Sequence, residues 1–438
     1  MVMTPDAVSI QLHPKQRAYA LSNRRFNIVP AGRRSGKTWI AKLYRLIFRA
    51  LSETKWPDAN FFAAAPTRAQ AKFIYWTDLK NNIPKKFITK VDESHLIISL
   101  VNGARIFVLG MDKPERAEGI AWNGGILDEY GNMKKTVWTE HLRPVCADRG
   151  AWIDFIGVPE GRNHYFDLYS AALMPENALD WAVFEWWTEE VLPLYLGIEA
   201  AESEIAAAKR DMDPLTFDQE FRGSFVTFEG RAYYQFDRKK HCCKTLEYDP
   251  KHDLILCFDF NRAPGVAAIL QEQEIGTCAI GEVFIPKNSN TGSVCRKIIA
   301  DWGEHLGKVY VYGDATGGAK GSAKVAGSDW DIVEDYLEPA FHDGIVMEVP
   351  KSNPRERARV NAVNSRLESA SGEVNFFVDP GKSPMLARDL DSVVTLAGGS
   401  GEIDKDHDSS LTHISDAVGY YLEREFSTTQ RVLEVTTI

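Results

Sequence analysis

Between Ala31 and Thr38 the chain reads Ala-Gly-Arg-Arg-Ser-Gly-Lys-Thr, a glycine-containing loop that closes on Gly36-Lys37-Thr38. A loop of this kind wraps phosphates: the backbone of Gly32, Arg33, Arg34, Ser35 and Gly36 and the following helix N-terminus face the anion. Lys37 then neutralises it and Thr38 reaches a magnesium ion. Ala31 stands where the general pattern has its first glycine. Downstream, the apolar run Ile126-Leu127 ends in Asp128-Glu129. An adjacent carboxylate pair can divide the work of hydrolysis, Asp128 holding magnesium through water and Glu129 orienting and deprotonating the attacking water. Alone, such a pair reads as a cap or a surface turn; the loop upstream favours the catalytic reading. A second set is Asp259 in LILCFDF, Asp314 at the end of KVYVYGD and Asp416 in LTHISDAVGYYL. Each singly would be a cap or turn residue. Together, three carboxylates repel one another unless a cation joins them, and Asp259 in an apolar strand would be costly to bury unpaired. They are suited to hold two divalent metals about 4 Å apart, which activate water on one side of a phosphodiester and stabilise the leaving oxygen on the other. Asp404, Asp406, Asp408 and His413 could add a ligand, although the first three read better as a solvated acidic loop.

The elements that must position these groups are legible around them. FNIVP at Phe26 to Pro30 is a buried-strand pattern that feeds the phosphate loop, and TWIAKLYRLIFRAL after it has helical spacing. NFFAAAP, then helical TRAQAKFIYWTDL, then a hairpin of HLIISL and ARIFVLG follow, and GGILDEYG and AWIDFIGVPEG supply further strands with polar ends. Strands interleaved with helices predict an α/β sheet with ligands at that edge. From Phe221 to Pro250 the alternation lapses in a segment rich in aromatics, expected to be a packed linker. Beyond it come three successive strands, the first ending near Asp259, a helix at SVCRKIIADWGEHL, a strand ending at Asp314, a helix at PRERARVNAVNSRLESA, and a final amphipathic helix at Leu411 to Phe426.

A chain of 438 residues is too long for one ordinary core, and 44% hydrophobic with 26% charged residues is the composition of a folded globular protein. Net charge is −10, which offers no whole-chain basic field, but the average hides a gradient. Residues 1–100 hold 17 Lys and Arg against 6 Asp and Glu, a balance of +11, while 101–250 hold 16 against 26 and 251–438 hold 18 against 29. The six cysteines form no CxxC pair and read as reduced and structural. No 18-residue apolar stretch occurs, and the N-terminus lacks a secretion pattern, so membrane spanning and secretion are not expected.

In their order, LHPKQ, AGRRSGKT, APTRAQA, ILDEYG, IGVPEG, FDQEFRGSF, FDFN, GDATG and LTHISDAVGYYL resemble the large terminase subunit of tailed bacteriophages, the motor and nuclease that packages viral DNA. The resemblance covers nearly the whole chain. It implies a P-loop ATPase domain of the additional-strand type with a mostly parallel sheet, followed by an RNase H-like α/β nuclease domain. The expected boundaries are 1–220 for the ATPase, 221–245 for the linker and 246–438 for the nuclease. By the same resemblance Gln16 contacts adenine, Lys37 and Thr38 hold phosphates and magnesium, Arg33 senses or stabilises the γ-phosphate, and Asp128 and Glu129 are metal-associated and catalytic. Arg116 matches an arginine that acts on a neighbouring subunit's ATP, and Asp259, Asp314 and Asp416 match the acidic triad. The implied cofactors are ATP with Mg2+, and two Mg2+ or Mn2+ at the nuclease. The implied partners are double-stranded DNA, the procapsid portal protein, the small terminase subunit and further copies in a pentameric ring. The expected location is the host cytoplasm and, transiently, the portal vertex, but not the mature virion. Val158 stands where the family commonly has threonine in its coupling motif, so coupling is expected to run through backbone or Glu160. A helicase shares the loop and the carboxylate pair but would carry further blocks of its own, and a nucleotide-gated capsid scaffold would leave the three aspartates as surface.

Overall fold

The structure, a computed structural model, describes residues 12–260, 264–318, 328–396, 401–408 and 411–426. The chain divides into two compact units, Met1–Ile205 with Asp218–Thr227 and Ala206–Phe217 with Phe228–Ile438. The stretch 221–245, read as a linker, is thereby shared out. Its residues to Thr227 belong with the first unit, and the rest is built into the second, where Ala232, Tyr233 and Phe236 are core residues.

The first unit is an eight-stranded sheet. Its strands are β1 (Phe26–Pro30), β2 (Asn60–Ala65), β3 (Ile88–Asp92), β4 (Ile97–Leu100), β5 (Arg105–Gly110), β6 (Gly124–Asp128), β7 (Trp152–Gly157) and β8 (Trp181–Val183), in the order β3-β4-β5-β2-β6-β7-β1-β8. The pairs β3–β4 and β4–β5 are antiparallel and all others parallel. Strands β1, β2, β6 and β7 are buried along their whole length, which is why they read as apolar runs and not as alternation.

Away from the strand ends, two polar residues break that pattern, Asn27 on β1 and Asp154 on β7, and both serve one network. Arg45, from the helical run behind the phosphate loop, donates Nε and Nη2 to the two Asp154 oxygens at 2.7 and 3.1 Å. Asn27 Nδ2 adds a bond of 2.6 Å, and the Tyr19 hydroxyl, from helix Pro14–Ala20, one of 2.9 Å. Arg45 and Asp154 have no solvent exposure. A buried ion pair is tolerated when its remaining hydrogen-bonding capacity is met in this way.

The second unit holds β9 (Leu254–Asp259), β10 (Gly265–Gln273), β11 (Gly276–Ile285), β12 (Val309–Gly313), β13 (Ile345–Met347) and β14 (Phe376–Val378), in the order β13-β12-β9-β10-β11-β14. The β9–β10–β11 meander is antiparallel and β12 lies parallel to β9. Helix His413–Phe426 covers one face, its Ile414, Ala417, Val418, Tyr421 and Leu422 packing with Cys257, Ala268 and Leu270. Helix Thr291–Trp302, capped by Asn290, covers the other with Val294, Cys295 and Ile298. All six cysteines are free thiols. Among the described residues no helix is long and apolar enough to cross a membrane.

Candidate active sites

The phosphate loop leaves β1 at Pro30 and takes its shape from backbone geometry. Arg34 and Gly36 hold φ of 60° and 79°, and Gly32 has no room for a side chain, since a Cβ there would stand 2.2 Å from the Phe221 carbonyl oxygen. Three side chains hold the loop from outside. The Thr188 hydroxyl donates to the Arg33 carbonyl at 2.7 Å, and the Trp186 indole and the Gln16 amide both donate to the Ser35 carbonyl, at 3.0 and 2.8 Å. Gln16, expected at adenine, is fully buried and also donates to the Tyr195 hydroxyl at 2.9 Å while accepting from the His13 amide at 2.9 Å. Its amide is engaged inside the chain, bracing the loop.

Lys37 is buried, with Nζ 3.4 Å from the Gly32 carbonyl oxygen. Burial pulls its ammonium below the ordinary lysine range, against the opposing charges of Glu129 and Asp128. Asp128, at the end of β6, is 1% exposed, and its Oδ2 accepts from the Thr38 hydroxyl at 3.0 Å and from the Tyr75 hydroxyl at 2.8 Å. Burial, then the charge of Glu129, pushes its carboxyl up to about 6. Glu129 turns away from the strand at φ 53°, its amide donating to Asp128 Oδ1 at 3.0 Å. The neighbouring β7 ends close by: a Cβ on Gly157 would lie 3.1 Å from Glu129 Cα. Lys37, Thr38, Asp128 and Glu129 are therefore brought together, as the sequence pattern requires of a hydrolytic nucleotide site. Arg33 is placed on the rim, 61% exposed with Nε 2.5 Å from Glu220 Oε2. Arg116 is exposed on the short turn Pro114–Ala117, Val158 is buried and Glu160 is half-buried.

In the second unit, β9 and β12 pair Phe258 with Gly313, so Asp259 and Asp314 leave the sheet edge from adjacent strands. The approach depends on Gly313, where a Cβ would stand 2.4 Å from the Phe258 carbonyl oxygen. Asp416 enters from the first turn of helix His413–Phe426. Burial raises the Tyr420 hydroxyl, Arg359 opposes that rise, and the charges of Asp314, Asp259 and Asp416 add to it. Each also faces a partner of its own. Asp259 Oδ2 lies 3.4 Å from His413 Nδ1. Asp314 Oδ1 accepts from Asn353 Nδ2 at 2.6 Å, while Asn353 Oδ1 accepts the Ala315 amide at 2.8 Å. Asp416 accepts from Arg359 Nη1 at 2.9 Å and meets Lys405 Nζ at 3.3 Å. Burial pushes the Asp416 carboxyl up, Arg359 and Lys405 pull it down, and the charge of Asp259 adds to the rise.

As chemistry, this set of hard oxygen donors fits Mg2+ or Mn2+. The spacing departs from expectation. Among the described residues no three His, Cys, Asp or Glu side chains stand close enough together to hold a metal ion, and Asp416 is matched to two protein cations instead. Asp404 accepts the amides of Asp406 and His407, both at 3.2 Å, and Asp408 lies 3.3 Å from Arg388, so these acids shape their own loop. Asn261 of the FDFN segment lies outside the described residues.

Residues 28–240 match the family model described as terminase large subunit, T4likevirus-type, N-terminal. The chain is thus similar, over just under half of its length, to the large terminase family. Its fold is also that of the large terminase from the thermophilic bacteriophage D6E, which superposes with a TM-score of 0.57 at 17% identity over 94% of this chain and 98% of that one. The same protein in complex with ATP-gamma-S gives 0.57 at 18% identity over 93% and 98%. The large terminase subunit of Thermus virus P23-45 is 20% identical over 167 residues, so the match spans about a third of that relative, 34% of each chain. The two sheets are accordingly those of the large terminase fold, with the phosphate loop following β1 of the first. The residues that brace its sites carried no motif: Tyr75, Trp186, Thr188 and Tyr195 around the loop, and Asn353 and Arg359 around the aspartates. For Lys405 a signal existed, since it is the one cation in the acidic run Asp404 to Asp408.

Proposed function

We propose that this protein hydrolyses ATP in its first unit to drive double-stranded viral DNA into a procapsid, and cuts that DNA with its second unit in a reaction that requires divalent metal. The observation that carries the first half is the Asp128–Glu129 corner, where a buried carboxylate gripped by Thr38 and Tyr75 sits beside a second carboxylate whose charge opposes the effect of burial on Lys37. Lys37 would neutralise the phosphates, Thr38 and Asp128 would hold a magnesium ion, and Glu129 would take the proton of the attacking water. For the second half, Asp259 and Asp314 are the carboxylates offered at the sheet edge, with His413 and Asn353 fixing their directions. A bound divalent ion would supply a Lewis acid for water activation and for the leaving oxygen. Duplex DNA, the portal, a small subunit and a pentameric ring on the portal in the host cytoplasm are the setting this reading requires.

Glu129→Gln is expected to lower ATP turnover about 100-fold or more while nucleotide still binds; unchanged turnover would remove Glu129 as the base. Asp259→Asn should stop Mn2+-dependent plasmid cleavage while ATP turnover continues. Persistent cleavage by that variant would place the nuclease elsewhere.

A further inference from the structure

The helical run from Arg68 to Asn82, which follows β2, joins the nucleotide site to the surface. Ala71, Tyr75, Trp76 and Leu79 recur at helical spacing and are buried in the first core. From that buried face the Tyr75 hydroxyl donates to Asp128 Oδ2 at 2.8 Å, so the helix touches the carboxylate of the nucleotide site directly. Arg68, Gln70, Lys72 and Phe73, placed between those positions, are exposed to solvent. Phe73 is 91% exposed, the most exposed large apolar side chain among the described residues.

A single exposed phenylalanine calls for no explanation by itself, but its surroundings here do. Between Arg68 and Lys90 six cations, Arg68, Lys72, Lys80, Lys85, Lys86 and Lys90, stand against one acid, Asp78. Asp78 is itself paired with the buried Lys42. The helix is tied to the turn between β3 and β4. Trp76 Nε1 donates to Glu93 Oε2 at 2.6 Å, Lys80 Nζ to Glu93 Oε1 at 2.7 Å, and Arg68 Nη2 to the Ser94 carbonyl at 2.6 Å. These ties make one surface of the helix and the lysine-bearing edge strand. Cations on such a surface match phosphates whatever the base sequence. A projecting aromatic ring leaves water against the apolar sugar and base edges of a groove, as wedge residues do in the minor groove. The excess of cations around the ring selects a polyanion over an apolar protein face.

We propose that this helix is the duplex-contacting element of the first unit, with Phe73 seated in a groove, Lys72 on a phosphate, and Tyr75 carrying the contact to Asp128. This rests on the DNA-packaging reading above and names the surface that reading requires. Affinity of the full chain for a short labelled DNA duplex would be measured by fluorescence anisotropy over a salt series. Phe73→Ala should weaken binding about tenfold at every salt concentration and leave the slope of log K against log salt unchanged, because an apolar contact releases no counterion. Lys72→Ala should make that slope shallower by about 0.9. Saturating duplex should shift the Mg-ATP affinity of the wild type by about fivefold or more, and Phe73→Ala should lose that shift. Melting temperatures would confirm that each variant is folded. Unchanged duplex affinity in Phe73→Ala, whether or not its self-association changes, would overturn the proposal and leave the packaging reading standing. A nucleotide shift kept by Phe73→Ala, or absent from the wild type, would overturn the link through Tyr75. A wild-type chain that binds no duplex at any salt concentration would overturn both the proposal and the packaging reading.

Discussion

Asp128 has a consequence for stability that follows from its burial. Its carboxyl is pushed from 3.8 to about 6 by desolvation and by Glu129. A group whose pKa is higher in the fold than in the unfolded chain binds its proton more tightly when folded. Its favourable contribution is complete below pH 3.8 and is lost as pH rises through about 6. A rise of about two units corresponds to roughly 3 kcal/mol of destabilisation at neutral pH when no metal compensates it. In EDTA, Asp128→Asn should therefore raise the melting temperature of the first unit at pH 7.5, and the gap from wild type should narrow as pH falls toward 4. A gap that is constant with pH would mean that the carboxylate is better solvated than its 1% exposure suggests. Magnesium should close the gap at neutral pH, since it restores the missing counter-charge.

At the scale of elements, the phosphate loop is shaped by a segment that returns to it from far along the chain. Phe221 presents its carbonyl to Gly32, Glu220 O accepts the Arg33 amide at 2.5 Å, and Gly223, at φ 64°, leaves a gap that a Cβ would close to 2.8 Å from the Ala31 backbone. Gly223→Ala should cost about 1 kcal/mol in backbone strain alone, with the contact added, and so lower the melting temperature by several degrees. It should also weaken Mg-ATP binding in a fluorescence titration; unaltered affinity would show that the loop sets its shape unaided. The sequence made the long strands legible because strands buried on both faces are continuous apolar runs, and it placed Asp259 and Asp314 at strand ends. Three-residue strands such as β8, β13 and β14 are too short to carry a period. The braces were hidden for another reason: Gln16 and Tyr195 meet across 179 residues of sequence, and Arg359 and Asp416 across 57, so no local pattern joins them. The aromatics that marked 221–245 as a packed segment include Tyr233 and Phe236, which join the second core.

For the molecule as a whole, the charge gradient matters more than the sum. The first hundred residues carry +11, and Lys85, Lys86 and Lys90 are exposed around β3, at the edge of the first sheet. If duplex DNA runs along this edge, its affinity should fall steeply with salt, and each Lys→Ala here should make the slope of log K against log salt shallower by about 0.9. Filter binding across a salt series measures this, and an unchanged slope would move the DNA track elsewhere. The buried cluster of Tyr19, Asn27, Arg45 and Asp154 acts at the same scale, on inheritance. Exchanging Arg45 without Asp154 leaves a buried charge unmatched, at a cost of roughly 3–5 kcal/mol. A chimaera joined between positions 45 and 154 keeps the pair only when both parents carry it; otherwise its first unit gives up that margin of stability.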